Sequence, residues 1–306
     1  MRLRSLAVCL ILTVIFPSVV SAEWVVERQA EKKRMRELGL QHDSAWSLYL
    51  ALKDKADGGD KPGFDDLPDW GGLWSRSRGG LNFDPDQQWP RAPGHMPTAK
   101  FTPEYHQRLL HTMELRKDNL EYDPLSQCIA PGHPRWLGMP FLREQILRPD
   151  RTTLIAEAFN SVRRIYTDGR DHIPGEDRFP VHNGDSIGFW DGDKLVIHTN
   201  QLMAHIYERS QGEYTEEVET VEIWERVDEN TILVDVWIYD PPALAEPWYT
   251  KQSYTRMKNP NLSLRLHHWA CKGNQNNDVI ETEGGGSTFR DLTFTSEDDL
   301  DGDDSP

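Results

Sequence analysis

From Arg151 onward the sequence is written in short runs of alternating polar and apolar residues, separated by turn residues. That rhythm constrains the fold more than any other feature, because a period of two places alternate side chains on opposite faces of an extended segment. Candidate strands are 152–159, 162–167, 185–190, 194–199, 217–226, 231–239, 251–257, 262–270, 279–283 and 288–295. Asp191-Gly192, set between two such runs, is a hairpin signal, since both residue types accept positive φ. Many short strands, with no alternation of helix and strand, predict a mainly β fold. The expected architecture is an antiparallel, lipocalin-like barrel, with a β-sandwich as the alternative.

The residues before this body divide into an address and a preface. Arg2 and Arg4, the apolar run from Leu6 to Val20, and Val20-Ser21-Ala22 have the form of a secretory signal peptide over 1–22, cleaved after Ala22. The apolar run is too short to span a bilayer, and no later stretch is long and apolar enough either. A soluble periplasmic or secreted protein is expected. Residues 23–60 form a helical extension, rich in Ala, Glu, Lys, Arg and Leu over 24–55 and closed by the breaker cluster Asp57 to Gly63. The barrel domain covers 61–295 and includes a helix near 102–119, opened by Thr102-Pro103-Glu104 and striped by Tyr105, Leu109 and Met113. Between Pro68 and Pro103 an aperiodic segment reads as an ordered wrapping held by Trp70, Trp74, Phe83 and Trp89. Residues 296–306 read as a solvated, disordered acidic tail.

Charge and cysteine usage exclude several classes. With 34 Lys+Arg against 50 Asp+Glu, the net charge of -16 argues against nucleic acid or an anionic membrane surface as the main partner. Eleven Trp suit deep pockets instead, and point to a small apolar or amphipathic molecule as partner. Oligomeric state is open. Removing the signal peptide takes away Cys9 and leaves Cys128 and Cys271, which in an oxidising compartment read first as one disulfide and otherwise as two separate buried thiols.

Pro68-Asp69-Trp70-Gly71-Gly72-Leu73-Trp74 resembles the Gly-x-Trp opening of lipocalin-like barrels. Residues 163–172 (RRIYTDGRDH) and 186–196 (SIGFWDGDKLV), with Tyr214-Thr215-Glu216, Glu222, Asp240-Pro241 and Pro247-Trp248, look like a large uncharacterised family of exported bacterial proteins. The likeness runs over 68–295 and implies secretion and a β-rich fold, without an activity. His198 departs from that pattern, which has Asp there, so a polar role shared by the family does not carry over to this position.

Chemistry must come from polar residues that the strands carry on mixed faces. Glu222 shares a face with Val218, Thr220 and Trp224; Asp235 shares one with Leu233, Trp237 and Tyr239; His198 lies with Val196. Buried in a barrel, such a carboxylate has its pKa raised unless it is paired, and Arg163, Arg164 or Arg265 could pair it. Three readings stand together: solvent-facing acids, structural ion pairs inside the barrel, or functional acid/base groups, for which Glu222, Asp235 and His198 are the catalytic candidates. For Asp235 the clean apolar face of Ile232, Val234, Val236 and Ile238 opposite it favours solvent. Candidate ligand-binding residues are Arg164, Arg170, His172, Trp190, Trp224, Trp237 and Tyr239, with Arg170 and His172 placed on a rim loop. The histidines show no tight metal spacing, and there is no Gly-x-Ser-x-Gly elbow, phosphate loop or nucleotide fingerprint. No cofactor or metal is expected. The function expected first is an exported lipocalin-like protein binding a small, largely apolar molecule in an aromatic-lined barrel. The alternatives are an enzyme acting on such a molecule through internal carboxylate and His groups, and a cell-envelope interaction protein.

Overall fold

The computed structural model describes residues 20–77, 99–209, 211–259, 261–271 and 279–289. Residues 1–19 of the expected signal peptide, Phe83, Trp89 and the expected acidic tail lie outside them. Two helices come first, α1 (Val20–Leu40) and α2 (Ala45–Lys55). The break between them is fixed by a reciprocal cap: the backbone N–H of Ser47 donates to the Ser44 hydroxyl (3.1 Å), and that of Ser44 donates to the Ser47 hydroxyl (3.3 Å). A third helix, α3 (Pro103–Lys117), starts where the Thr-Pro pair predicts.

The body is a closed barrel. Its strands are β1 (Leu73–Arg76), β2 (Arg143–Arg148), β3 (Arg151–Ala156), β4 (Ser161–Tyr166), β5 (Asp185–Asp191), β6 (Lys194–Asn200), β9 (Glu219–Asp228), β10 (Thr231–Tyr239) and β11 (Trp248–Arg256). Two small hairpins, β7 (His205–Ile206) with β8 (Glu213–Tyr214) and β12 (Val279–Glu281) with β13 (Ser287–Phe289), stand apart from it. The order around the barrel is β1-β11-β10-β9-β6-β5-β4-β3-β2, and β2 returns to β1. All neighbours are antiparallel except β4 and β5, where Ile165 pairs with Ser186 in parallel. The expected barrel is therefore present with one parallel pair, because the crossover from Thr167 to Gly184 reverses the chain before β5 begins. Closure removes the β-sandwich alternative.

Two barrel strands escaped the rhythm, as did the short hairpin of β7 and β8, and one expected strand is absent. In β2 the buried inward residues are Arg143 and Gln145, only the half-buried Leu147 on that face is apolar, and Ile146 faces out, so the apolar alternation that marks a half-buried strand is missing. β1 is four residues inside a Gly-rich stretch. Residues 262–270 alternate but form no strand. There the Asn259 side chain takes the backbone groups of Leu264, accepting from its N–H (2.9 Å) and donating to its carbonyl (2.8 Å).

Two apolar layers result. Inside the barrel sit Trp70, Trp74, Trp136, Trp190, Trp224 and Tyr254 with the β10 face of Ile232, Val234, Val236 and Ile238. Outside, Ala45, Leu48 and Tyr49 of α2 pack on Ile187, Phe189, Val196, Val221, Trp237, Tyr239 and Tyr249. The helical preface therefore covers part of the barrel wall. Cys128 and Cys271 form a disulfide across a separation of 143 residues, which agrees with the expected pairing. Closing so long a loop is worth about 4–5 kcal/mol in the chain-entropy model. No helix among the described residues is long and apolar enough to cross a membrane.

Candidate functional site

Three polar clusters distinguish this barrel, and each comes from a different local cause. The first fills one end of the interior. Residues 131–137 enter the barrel as a plug in which every residue is buried. The plug starts at Gly132, with φ +64°; a Cβ there would lie 2.4 Å from the carbonyl oxygen of His182, which accepts from the N–H of His133. Trp136 then stacks on Trp224 with ring centroids 6.4 Å apart, and His133 meets the polar residues of β4 and β9.

At that point Arg163 uses its whole guanidinium. It donates to Glu222 Oε1 (2.5 Å) and Oε2 (3.0 Å), to the Thr199 hydroxyl (2.6 Å) and, through Nε, to the Ser186 hydroxyl (3.1 Å). Trp224 Nε1 adds a third donor to Glu222, at 2.9 Å. Burial alone raises the Glu222 carboxyl, but the Arg163 charge and these donors outweigh it and hold the group below its usual range. His133 Nδ1 accepts from Trp136 Nε1 (3.2 Å), so its proton is on Nε2, which donates to the Thr220 hydroxyl (2.7 Å). Burial, with Arg163 beside it, pushes His133 down to about 3. The cluster is a neutral imidazole and an ionised carboxylate held by donors on all sides.

The other end of the interior has the opposite character. Trp70 and Trp190 face each other at 5.6 Å between ring centroids, and Trp70 also lies 6.2 Å from Trp224. Gln145 of β2, Thr152 of β3 and Trp190 of β5 point inward among Leu154, Ile165 and Leu195. Here both ends of the Gln145 amide, the Thr152 hydroxyl and the indole nitrogens of Trp70 and Trp190 are buried without a hydrogen-bond partner among the described residues. These are aromatic walls with unanswered polar groups.

The third cluster lies on the outer face of β5, β6 and β9. Asp185 Oδ2 accepts from the N–H of Ile173 (3.0 Å) and meets His172 Nδ1 at 2.6 Å. His172 Nε2 meets His198 Nδ1 at 2.7 Å, and His198 Nε2 lies 3.4 Å from Glu219 Oε2. The edge of Trp46 and the ring of Tyr49, both from α2, close over the imidazoles at 5.1 and 5.6 Å from His198. Burial is the main reason that His198 titrates below the usual histidine range. Asp185, half-buried, would be raised by desolvation, but His172 and the Ile173 N–H lower it overall.

The structure thus brings His172 and His198 together, and puts Glu222 and Trp224 on one inner face with Trp190 further along the wall. It corrects the placement of the others. Asp235, Trp237 and Tyr239 lie on the outer face under the helical preface: Tyr249 Oη donates to Asp235 (2.6 Å), Lys251 pairs with it (3.2 Å), and Trp237 Nε1 and Tyr239 Oη donate to the carbonyls of Met35 and Gly39. Arg164 is exposed, because its neighbour Arg163 takes the inward position on β4. Arg170 is exposed on its loop, ion-paired with Asp168 and stacked on Tyr166. Arg265 is exposed as well. Sequence reasoning missed His133, Gln145, Thr152, Asp185 and Glu219. The Gly132-His133-Pro134 run was the available signal for the plug; the others needed the strand order.

No family model matches the chain, and no curated protein is similar to it. Among solved structures, the fluorescent protein UnaG is similar at 14% identity. A point mutant of it matches over 62% of this chain and 97% of that one, with a TM-score of 0.30. Its wild type matches over 61% and 97%, with a TM-score of 0.28.

Proposed function

We propose that this protein is an exported binder of a small, largely apolar molecule bearing hydrogen-bonding groups, taken into the Trp70–Trp190 end of the barrel. The observation that carries this reading is the set of buried polar groups on Gln145, Thr152, Trp70 and Trp190, unpartnered among the described residues and set amid aromatic walls. Each such group costs about 1–3 kcal/mol while unpaired, and a folded core normally pairs them. A molecule that answers them regains that cost and contributes about 25 cal/mol for each Å² of apolar surface it buries. The donors and acceptors set orientation; the indole walls supply affinity. Export is supported by the Cys128–Cys271 bridge, which persists in oxidising compartments.

Native mass spectrometry of protein isolated from its own cell envelope tests the reading. A retained adduct of small-molecule mass, lost on denaturation and reduced in a Gln145→Leu, Thr152→Val variant, is expected. Bare protein in both forms, together with no saturable uptake of an apolar fluorescent probe, would overturn it.

A further inference from the structure

The chain of four groups on the outer face is one proton short of satisfying its contacts. Asp185, as a carboxylate, accepts from His172 Nδ1–H. A neutral imidazole has one N–H, so His172 Nε2 is a lone pair and accepts from His198 Nδ1–H. His198 Nε2 is then a second lone pair, facing the carboxylate of Glu219 at 3.4 Å and without a hydrogen-bond partner among the described residues. Two acceptors oppose each other there. Either a proton on His198 or a positive charge beside Glu219 resolves the opposition.

Glu219 reaches both. Its side chain is 31% exposed and borders an open cleft of about 400 Å³ shared with Arg178, Phe179, Asn200, Glu216 and Glu217. Glu216 and Glu217 have no ion pair among the described residues, and Arg178 donates to the carbonyl of Ile173 rather than to them. Asn200, 6% exposed, borders the cleft with its Oδ1 acceptor unpartnered among the described residues, and Phe179 presents a ring that is 66% exposed. Carboxylates, an amide acceptor and an open aromatic face are the groups that recognise an organic ammonium. Metal chemistry has no such support, since no group of three ligating side chains is found among the described residues.

We propose that this cleft binds a small organic cation, an alkylammonium group seated between Glu219, Asn200 and the ring of Phe179, and that a proton on His198 Nε2, which faces Glu219, displaces it. The charged and titratable groups facing the pair are Asp185 and Glu219 at its ends, Arg178 near Asp185, Asp171 near Tyr49, and Tyr49 itself, brought by α2 with the uncharged Trp46. Once His198 is protonated, Nε2–H donates to Glu219 and cancels the charge that held the ligand. Because burial holds His198 below the usual histidine range, the cation is bound at neutral pH and released on acidification.

Calorimetry on the full chain with cadaverine and with tetramethylammonium tests this at about pH 7.5 and about pH 4.5, the lower value being set well under the ordinary histidine pKa because burial lowers that of His198. Saturable binding at the higher pH, weakened about tenfold or more at the lower one, is expected. Glu219→Gln should weaken binding at the higher pH by about tenfold or more, and Phe179→Ala by a smaller factor. His198→Asn should make the affinity the same at both pH values. Near-UV circular dichroism shows that each variant is folded. No saturable binding of either cation, equal binding of a neutral polyol, or binding that Glu219→Gln leaves unchanged would each overturn the proposal.

Discussion

The two ends of the barrel interior both bury polar groups and treat them in opposite ways. At the plugged end, Arg163, Glu222, His133 and Thr220 exchange hydrogen bonds until little polar capacity is left, and the Trp136–Trp224 stack seals them. At the other end, Gln145, Thr152, Trp70 and Trp190 are equally buried yet unanswered. A saturated network specifies a fold, because removing one member strands the rest in a low dielectric. An unsaturated one costs stability and is kept where something else completes it. The contrast separates a structural carboxylate, Glu222, from the proposed binding wall, of which the sequence had singled out only Trp190 as a ligand-binding candidate.

The largest expected effect breaks the saturated end. Glu222→Leu strands the Arg163 guanidinium and should cost about 3–5 kcal/mol in urea unfolding, while adding Arg163→Met should recover much of the loss. If the single variant costs less than about 1 kcal/mol, the cluster is not the structural anchor described here. Next in size is acid sensitivity. His133 is held down to about 3 and His205 to about 4, so the unfolded chain binds more protons than the folded one between those values and the ordinary histidine pKa of about 6.5. Stability should therefore fall as pH drops below about 6.5, by about 1.4 kcal/mol per pH unit for each such histidine. A flat stability curve from about pH 6.5 to 4 would contradict their neutral, buried state. On the outer wall, Asp235→Asn weakens the pairing with Lys251 and the Tyr249 hydrogen bond, and should cost about 1 kcal/mol with no change in uptake of an apolar probe. The smallest change is expected at the unsaturated end: Gln145→Leu removes buried polar atoms that have no partner, so stability should hold or rise by up to about 1 kcal/mol.

How far the sequence could be read depends on whether a feature is local. The β10 alternation put Ile232, Val234, Val236 and Ile238 on one face, and that face is the inner one. The same alternation could not show that Trp237 and Tyr239, on the other face, are buried too, because what covers them is α1 and α2 from far upstream. The pairing of Glu222 with an arginine was legible as a need, but choosing Arg163 over Arg164 required the facing of β4 in the closed barrel. His172 and His198 were each conspicuous, yet their contact depends on the parallel β4–β5 pair and the crossover between them, which no short-range signal encodes. β2 hid because its inward residues are polar, and those residues, Arg143 and Gln145, belong to the interior the sequence was expected to make apolar.

The most direct test of the binding wall is a titration of the intact protein with an apolar fluorescent probe, following indole quenching in the wild type, in Gln145→Leu, Thr152→Val, and in Trp190→Phe. Saturable binding should weaken about tenfold in the first variant and measurably in the second, while the unfolding free energy of the first stays within about 1 kcal/mol of the wild type. Binding that is unchanged in both variants but lost in Glu222→Gln would place the site at the plugged end and contradict this division of the barrel.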